Sequence, residues 1–571
     1  MRRHIRHACD SCRRRKARCD GTAPVCTGCR SLGINCEYGT PRAKRGPKPR
    51  TSVSTKMEVT AERSPQALST STASRTQLST DRPAQASGAP SPAVIPVPHH
   101  AAIQARSSST DSTRSVQILP HNAHRALLKA VEPLWSDLVV FGQQCVEHWV
   151  EQSFAVLPIL DAYSTWSSAM LLLPKAGERF AQGPRSLSGM GSFALLTACC
   201  AQTLYSGSMP IPPGGERAAD AFLTASRSML VQHEEADVAQ PTACSLAIRV
   251  LQASALHSQG KTRMAGYVIG QATRLVLDMR SYDEEVLAQL GDSREVQLRR
   301  NLFWVLHSID KSIALVGGLP STLHIRLIDP AQLEHETDGT PVRLLEGMPQ
   351  SLGLPTHEHS LRAGFDICNR QWLLADGISR TLDLLASFGS VSGTGLEPLA
   401  SQVTADFVAL CGLPDTAPAW LCDPAARYDH ETQLPQQAMQ RRREAHWAQH
   451  VNILVTHHCL KLLVLARAAQ SSLAGLLGSV NDERLAALRS TEVAAELVGY
   501  IERVPMKALK ANGEALVEKL RKVGVILLEI SYQCKSEVIV ERGKVLLGRL
   551  LNLIASLDSK ASDTPDENIS H

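Results

Sequence analysis

Between residues 121 and 558, apolar side chains recur every three or four positions, which is the spacing of one face of an α-helix. One such face is made by Met264, Val268, Leu275, Val276 and Met279. Alternation with a period of two, the pattern of a half-buried strand, is hard to find anywhere. The pattern therefore predicts a large all-α domain over 121–558, followed by a polar, disordered tail over 559–571.

A second apolar face also carries signals for the ends of its helix. Its residues stand alternately four and three positions apart: Leu302, Leu306, Ile309, Ile313 and Val316. Asp292 or Ser293 can cap the start of this helix. Gly317-Gly318 and then Pro320 are expected to end it.

The segment 51–120 has a different composition. Ser, Thr, Pro and Ala fill 36 of the 60 positions from 51 to 110, and no aromatic residue occurs between Tyr38 and Trp135. Such a stretch buries too little apolar surface to offset the entropy of ordering, so we expect a disordered linker.

The charge is concentrated at the N-terminus. Residues 1–50 carry 14 Lys and Arg against 3 Asp and Glu, whereas the whole 571-residue chain has a net charge of only +5. A basic N-terminal segment followed by a mildly acidic remainder is typical of a chain whose N-terminal segment binds nucleic acid. No apolar run reaches bilayer length and no secretory signal is evident, so a reducing compartment is expected and disulfides are not.

Six of the 15 cysteines lie close together in the basic N-terminal segment. They are Cys9, Cys12, Cys19, Cys26, Cys29 and Cys36. Their spacing, C-x2-C-x6-C, occurs twice with an offset of 17 residues. A disulfide staple or a set of reactive thiols is the alternative interpretation, but the doubled spacing favours zinc.

The repeat also predicts how the metal is shared. Zinc takes four tetrahedral ligands, so six thiolates serve two Zn²⁺ ions only if two of them bridge. Since the two halves are equivalent, Cys9 and Cys26 are the natural bridging residues. One ion would then take Cys12 and Cys19 besides them, and the other Cys29 and Cys36. The segment has almost no apolar residues, so zinc is expected to supply its folding energy.

The stretch from Ala8 to Asp20, with the later cysteines and Pro24, closely resembles the fungal zinc binuclear cluster regulators. The resemblance covers residues 8–39 and implies a cluster domain of two short helices within 1–40 that binds double-stranded DNA. It also implies that Lys16 and Arg15 read a CGG-type triplet. The first half carries the denser basic run, and Arg and Lys suit the guanine edge. The predicted DNA contacts are Arg13, Arg14, Arg15, Lys16, Arg18 and Arg30.

Residues 41–50 continue the positive charge as an extended basic arm, which fits a nuclear localisation signal or phosphate contacts. No apolar heptad follows in 51–120, so a dimer formed by a coiled coil there is not expected. A homodimer through the helical body stays open as an alternative.

Two stretches of the body, Gly266–Met279 and Arg299–Asp310, resemble the regulatory middle region of the same family over roughly 145–330. Phe303, Trp304 and His457-His458 are read as core residues, and no catalytic motif is found. The expected function is a nuclear, zinc-dependent regulator of RNA polymerase II genes, with activation favoured. It would act with the transcription machinery, without a membrane, on a metabolic or secondary-metabolite gene cluster. The alternative is a metabolite-sensing or enzymatic helical protein with a weak DNA tether.

Overall fold

The computed structural model describes residues 8–14, 19–22, 24–38, 120–181, 185–207, 209–324, 342–349, 352, 358–388, 395–425, 435–478 and 482–557. The predicted basic arm, nearly all of the predicted linker and the predicted C-terminal tail lie outside these ranges. The chain divides into two units, residues 1–108 and residues 109–571. The elements of each unit are described separately below.

Among its described residues, the first unit has two five-residue helices, α1 (Asp10–Arg14) and α2 (Thr27–Ser31). The second unit begins with the helices α3 (Pro120–Val131), α4 (Leu138–Ser153), α5 (Ala162–Ser167), α6 (Arg185–Tyr205), α7 (Ala218–Gln232), α8 (Glu234–Ala239), α9 (Ala243–Ser258), α10 (Thr262–Asp278), α11 (Glu284–Ala288) and α12 (Ser293–Leu315). It continues with α13 (Glu358–Ser387), α14 (Glu397–Gly412), α15 (Ala419–Cys422), α16 (Gln436–Gln470), α17 (Glu483–Ile501), α18 (Met506–Ala511), α19 (Gly513–Gln533) and α20 (Glu537–Ser556). The described part of this unit also contains four short 3₁₀ helices: Ser168–Leu172, Pro174–Ala181, Leu413–Thr416 and Ala474–Leu477.

Aspartates open many of the helices of the body. Their carboxylates accept hydrogen bonds from the first free backbone N–H groups of the helix, which would otherwise lack partners. The residues that do so are Asp137, Asp161, Asp283, Asp292 and Asp482. The short polar side chain before each apolar run therefore sets where these helices begin.

Two large hydrophobic clusters form the core of the body. The first is built mainly on α3, α4, α6, α7, α9, α10 and α12, and it contains the fully buried Trp149 and Phe222. The second is built mainly on α13, α14, α16, α17, α19 and α20. Polar contacts join the helices that carry them, such as the 2.7 Å contact between His257 Nε2 on α9 and Glu518 Oε1 on α19.

The all-α prediction for the body is confirmed, with two local differences. In α10, Val268, Leu275 and Val276 are buried as expected, but Met264 in the first turn is 40% exposed. Pro120, which the sequence assigned to the linker, is the first residue of α3. Proline suits this position because its missing N–H would have no helical partner there.

The end signals of α12 act as the sequence predicted. Asp292 caps the first turn, the helix ends at Leu315, and Gly318 adopts a left-handed φ of 72°. Leu302 and Leu306 are fully buried in the first core. Phe303 and Trp304 are also buried there, which confirms that they are core residues.

A buried charge network fixes the loop that follows α12. Lys311 Nζ lies 2.6 Å from Ser321 Oγ, 3.2 Å from Asp310 Oδ2 and 3.6 Å from Asp376 Oδ2. Asp310 also accepts from the Thr322 backbone N–H at 2.8 Å. Because a buried charge is tolerated only when it is paired, the network holds the loop against the helix.

One correction concerns the length of apolar runs. Helix α16 is long enough to cross a membrane, and its most apolar 18-residue window has a mean hydropathy of 1.3. It is the one such helix within the described ranges, and 61% of that window is buried inside the protein. His457 of this helix is itself buried. The helix is apolar because it runs through the body and packs against several other helices.

Candidate metal centre and nucleic-acid interface

The two halves of the cysteine repeat fold in the same way. Each short helix starts directly after the first cysteine of its half, so that α1 follows Cys9 and α2 follows Cys26. The backbone N–H of Cys12 donates to Cys9 Sγ at 3.4 Å, and that of Cys29 donates to Cys26 Sγ at 3.4 Å. The C-x2-C spacing thereby turns two thiols inward at the start of each helix.

Each half also holds the helix of the other half. The backbone N–H of Thr27 donates to Asp20 Oδ1 at 3.1 Å, and the backbone N–H of Asp10 donates to the Glu37 carbonyl oxygen at 2.8 Å. Asp20 and Glu37 occupy equivalent positions of the repeat, and so do Asp10 and Thr27. The sequence interpretation missed this exchange. Only the Asp20 carboxylate could have indicated it, because Glu37 accepts through its backbone oxygen.

Hydrogen bonds to its carboxylate hold Asp20 in the charged form. The Thr27 hydroxyl donates to Asp20 Oδ2 at 2.5 Å and the Thr22 hydroxyl at 2.7 Å. These bonds keep the pKa of Asp20 well below its usual range. The charged carboxylate therefore stabilises the start of α2, where the backbone N–H groups favour a negative charge.

The six sulfurs lie close enough together to share metal ions. Cys9 Sγ lies 3.7 Å from Cys26 Sγ and 3.6 Å from Cys29 Sγ, and Cys12 Sγ lies 3.6 Å from Cys26 Sγ. A tetrahedral zinc with Zn–S bonds of about 2.3 Å places two of its thiolates about 3.8 Å apart. The sulfur spacing therefore fits zinc without rearrangement of the backbone.

Two groups of four sulfurs emerge, and they are those that the repeat predicted. The ligand atoms of Cys9, Cys12, Cys19 and Cys26 lie within 4.8 Å of one another. The same holds for Cys9, Cys26, Cys29 and Cys36. Cys9 and Cys26 belong to both groups. Cys12 Sγ and Cys29 Sγ are also only 3.8 Å apart, so individual distances do not assign every thiol to an ion.

The thiols differ in their tendency to ionise. Burial raises the pKa of Cys9, but the Cys12 backbone N–H and neighbouring thiols outweigh it and lower the pKa to about 6. Burial likewise raises the pKa of Cys26, which the Cys29 N–H and neighbouring thiols lower. Burial instead raises the pKa of Cys12 to about 12. Of these three thiols, the two that belong to both groups are therefore the ones whose pKa is lowered, which favours their thiolate form.

The cluster has almost no hydrophobic core of its own. The buried side chains of its hydrophobic cluster are Cys9, Cys12, Cys26 and Cys29, with Cys19, Val25, Cys36 and Tyr38 packed against them. Leu32 and Ile34 are exposed, at 59% and 37%. Because the interior consists mainly of sulfur, the unit needs metal bonds in place of apolar packing.

The structure describes only part of the predicted DNA-contacting set. Arg14 at the end of α1 and Arg30 on α2 are exposed. Arg30 Nη2 donates to the Val25 carbonyl oxygen at 3.4 Å, a contact within its own half. Arg13 lies on α1, but its side chain is outside the described residues, as are Arg15, Lys16 and Arg18. Their DNA contacts stay predictions.

Comparison with known families connects this geometry to a named domain. A family model of the fungal Zn(2)-Cys(6) binuclear cluster domain matches residues 7–45, and a model of the fungal specific transcription factor domain matches residues 160–338. The chain thus carries both the cluster domain and the helical domain that these fungal family models describe. The resemblance read from the sequence is confirmed, and the cluster domain binds two zinc ions.

Curated relatives match this chain over short stretches. The citrinin biosynthesis transcriptional activator mrl3 of Monascus ruber is 48% identical over 48 residues, which are 8% of this chain and 9% of that protein. The quinic acid utilization activator of Emericella nidulans is 47% identical over 45 residues, 8% and 6% of the two chains. Transcription factor FBD3 of Fusarium pseudograminearum is 60% identical over 37 residues, 6% and 5%. The matches thus span less than a tenth of these relatives.

Proposed function

We propose that this protein is a nuclear, sequence-specific DNA-binding regulator of RNA polymerase II genes, and that its zinc cluster reads a CGG-type triplet. The observation that carries the proposal is the pair of four-sulfur groups that share Cys9 and Cys26. Two zinc ions on six thiolates make a rigid platform out of a segment that has no core of its own. A rigid platform is what basic side chains need to reach base edges in a fixed register.

In this proposal each zinc takes one of the two groups. The first ion is held by Cys12 and Cys19 and the second by Cys29 and Cys36, while Cys9 and Cys26 bridge. Each of these two thiols also accepts a backbone N–H at 3.4 Å, which orients the sulfur and favours its thiolate form.

The first half of the repeat is the half that reads DNA. It presents a run of basic residues from Arg13 to Arg18, whereas α2 of the second half ends in Arg30 and Ser31 and is followed by the exposed Leu32. Lys16 and Arg15 contact guanine edges in the major groove. Arg13, Arg14, Arg18 and Arg30 contact phosphates and fix the register.

The direct test is DNA binding by the full-length, zinc-loaded chain, measured on a duplex that contains CGG and on one in which the triplet is scrambled. Tight binding should occur on the CGG duplex alone and should disappear when a chelator removes zinc. Zinc added back should restore it. Equal binding to both duplexes, or binding that survives the chelator, would contradict the proposal.

The proposal on the regulated genes is supported by the names of two relatives. Two of them are named as activators of citrinin biosynthesis and of quinic acid utilisation. We infer that this protein also activates genes of a metabolic or secondary-metabolite pathway. Genome-wide binding sites combined with expression after deletion test the inference, and bound genes whose expression rises after deletion would indicate repression instead.

A further inference from the structure

Helix α20 is richer in aliphatic residues than its packing in the body requires. Ten of its 20 residues are Val, Ile or Leu. Leu546 and Leu550 are buried, and Leu547, Leu553 and Ile554 pack partly against the second core. Val538 is 81% exposed and Val545 53%. A helix that packs on one face needs about three apolar residues in seven. The exposed valines on the outer face of α20 are therefore not needed for its packing in the body.

The outer face of α20 borders an open groove against α17. The groove has a volume of about 640 Å³, and its lining includes Ala495, Val538, Glu541, Arg542, Val545 and Leu546. At one end, Arg549 is held by Glu502 of the neighbouring helix through a 2.9 Å contact from Nε to Oε1. The side chains of Glu541 and Arg542 make no hydrogen bond or ion pair with any described residue.

Four exposed residues near the middle of this face form a pattern that is complementary to its own reverse. Val538, Glu541, Arg542 and Val545 lie within an arc of about 100° on the helix, in the order apolar, acidic, basic, apolar. In an antiparallel pair, the register that sets Val538 opposite Val545 of a second copy also sets Glu541 opposite Arg542. A two-fold axis repeats both contacts, so each is made twice.

We propose that α20 is a homodimer seam, in which two copies of this chain pair α20 antiparallel along the groove beside α17. Val538 and Val545 form the apolar ends of the seam, and Glu541 and Arg542 form two ion pairs across its centre. This dimer supplies a way to pair two zinc clusters that the segment 51–120, without apolar heptads, does not provide by a coiled coil.

Charge complementarity favours a second copy over other occupants. The C-terminal segment 558–571 follows α20 directly, but Ile569 is its only large aliphatic residue, so it cannot fill an apolar groove. A parallel pair of α20 helices would set like charges opposite each other. The antiparallel self-pairing is the arrangement that matches every one of the four exposed residues with a complementary one.

The test is the mass of the full-length chain by sedimentation equilibrium over a dilution series. The wild type should approach twice its chain mass of 61.9 kDa. Glu541→Arg and Arg542→Glu should each raise the dimer dissociation constant by about tenfold or more, since each change sets like charges opposite each other twice. The double reversal, with both substitutions, should return it to within about threefold of the wild type, because the face is again self-complementary.

Matched controls separate the seam from general surface effects. Lys544→Glu alters charge on the same helix but on a different side, and it should leave the dissociation constant unchanged. Val538→Asp should abolish the dimer. Val408→Asp, at a position of α14 that is 66% exposed, should not. The helical circular dichroism of all variants should match the wild type.

Two results would contradict the proposed dimer interface on α20. A wild-type chain that sediments as a monomer at every concentration would mean that the groove serves another partner or none. A dimer that survives both single charge reversals and Val538→Asp would place the interface elsewhere. Because the readout is mass, it is independent of whether the cluster binds DNA.

Discussion

The two units of this protein reach a stable fold by opposite means. The cluster buries four cysteines and exposes Leu32 and Ile34, whereas the body buries side chains as large as Trp149 and Phe222 completely. Short segments cannot bury enough apolar surface to offset the entropy of ordering, but a domain of several hundred residues can. The difference teaches that the fold of the cluster depends on metal supply and the fold of the helical body on packing.

The largest expected difference between the two units is in their response to the removal of zinc. Structural zinc contributes on the order of 10 kcal/mol to the folding of small cysteine modules, and the cluster has little else. We expect a chelator to abolish DNA binding and expose the cluster to protease, while the helical circular dichroism of the body and its melting temperature stay unchanged. Loss of the helical signal on chelation would show that the body also depends on metal.

A substitution in the core of the body should have the converse effect and destabilise the body alone. Phe222→Ala should destabilise the body by about 3–5 kcal/mol, because it leaves a cavity beside Phe141, whose ring centroid lies 5.7 Å away. Zinc content and the affinity of the soluble protein for the CGG duplex should stay at the wild-type values. Calorimetry and zinc analysis on the same sample check both, and zinc lost along with the melting temperature would contradict the separation.

Within the cluster, the two halves should differ towards DNA although they are equivalent towards zinc. Lys16→Ala is expected to cost about 1–3 kcal/mol of binding to the CGG duplex and to relax the preference for the triplet. Arg30→Ala should weaken binding to all sequences by a similar factor, with a smaller salt dependence. Titrations on matched and scrambled duplexes at several salt concentrations distinguish them. Equal loss of sequence preference in both variants would refute the division.

The smallest effect concerns pH, which should act in opposite directions on the two units. His257 Nε2 lies 2.7 Å from Glu518 Oε1 in the body. Burial lowers the pKa of His257, but the hydrogen bond and charge of Glu518 outweigh it and raise the pKa above the usual 6.5. This pair therefore contributes stability that is complete below about pH 6.5 and is lost as the pH rises through the folded pKa.

Since Glu518 is partly exposed, we expect His257→Gln to lower the stability of the body by only about 0.5–1 kcal/mol at pH 6. The difference from the wild type should disappear at high pH. Thermal melts across this range measure it, and a difference that grows with pH would contradict the assignment. The cluster should respond oppositely, because protonation of its thiolates at low pH releases zinc.

The sequence foresaw much of the site but not how its two halves hold each other. Metal ligands leave a spacing pattern, so the six cysteines and their two groups could be deduced from a repeat of 17 residues. The bond from the Asp10 N–H to Glu37 crosses between the halves and left no periodic signal strong enough to notice. In the body, the cap at Asp292 was predictable because it is local.

The sequence by itself determined the metal chemistry, the all-α character of the body and the basic character of the N-terminal end. These properties depend on residue type and on separations of a few positions along the chain. The tertiary structure alone decided that α16 is a core helix, that Lys311 and Asp310 hold the loop after α12, and that α20 keeps Val538 and Val545 exposed. Burial depends on which distant helices pack against a surface, and a pattern within one helix does not contain that information.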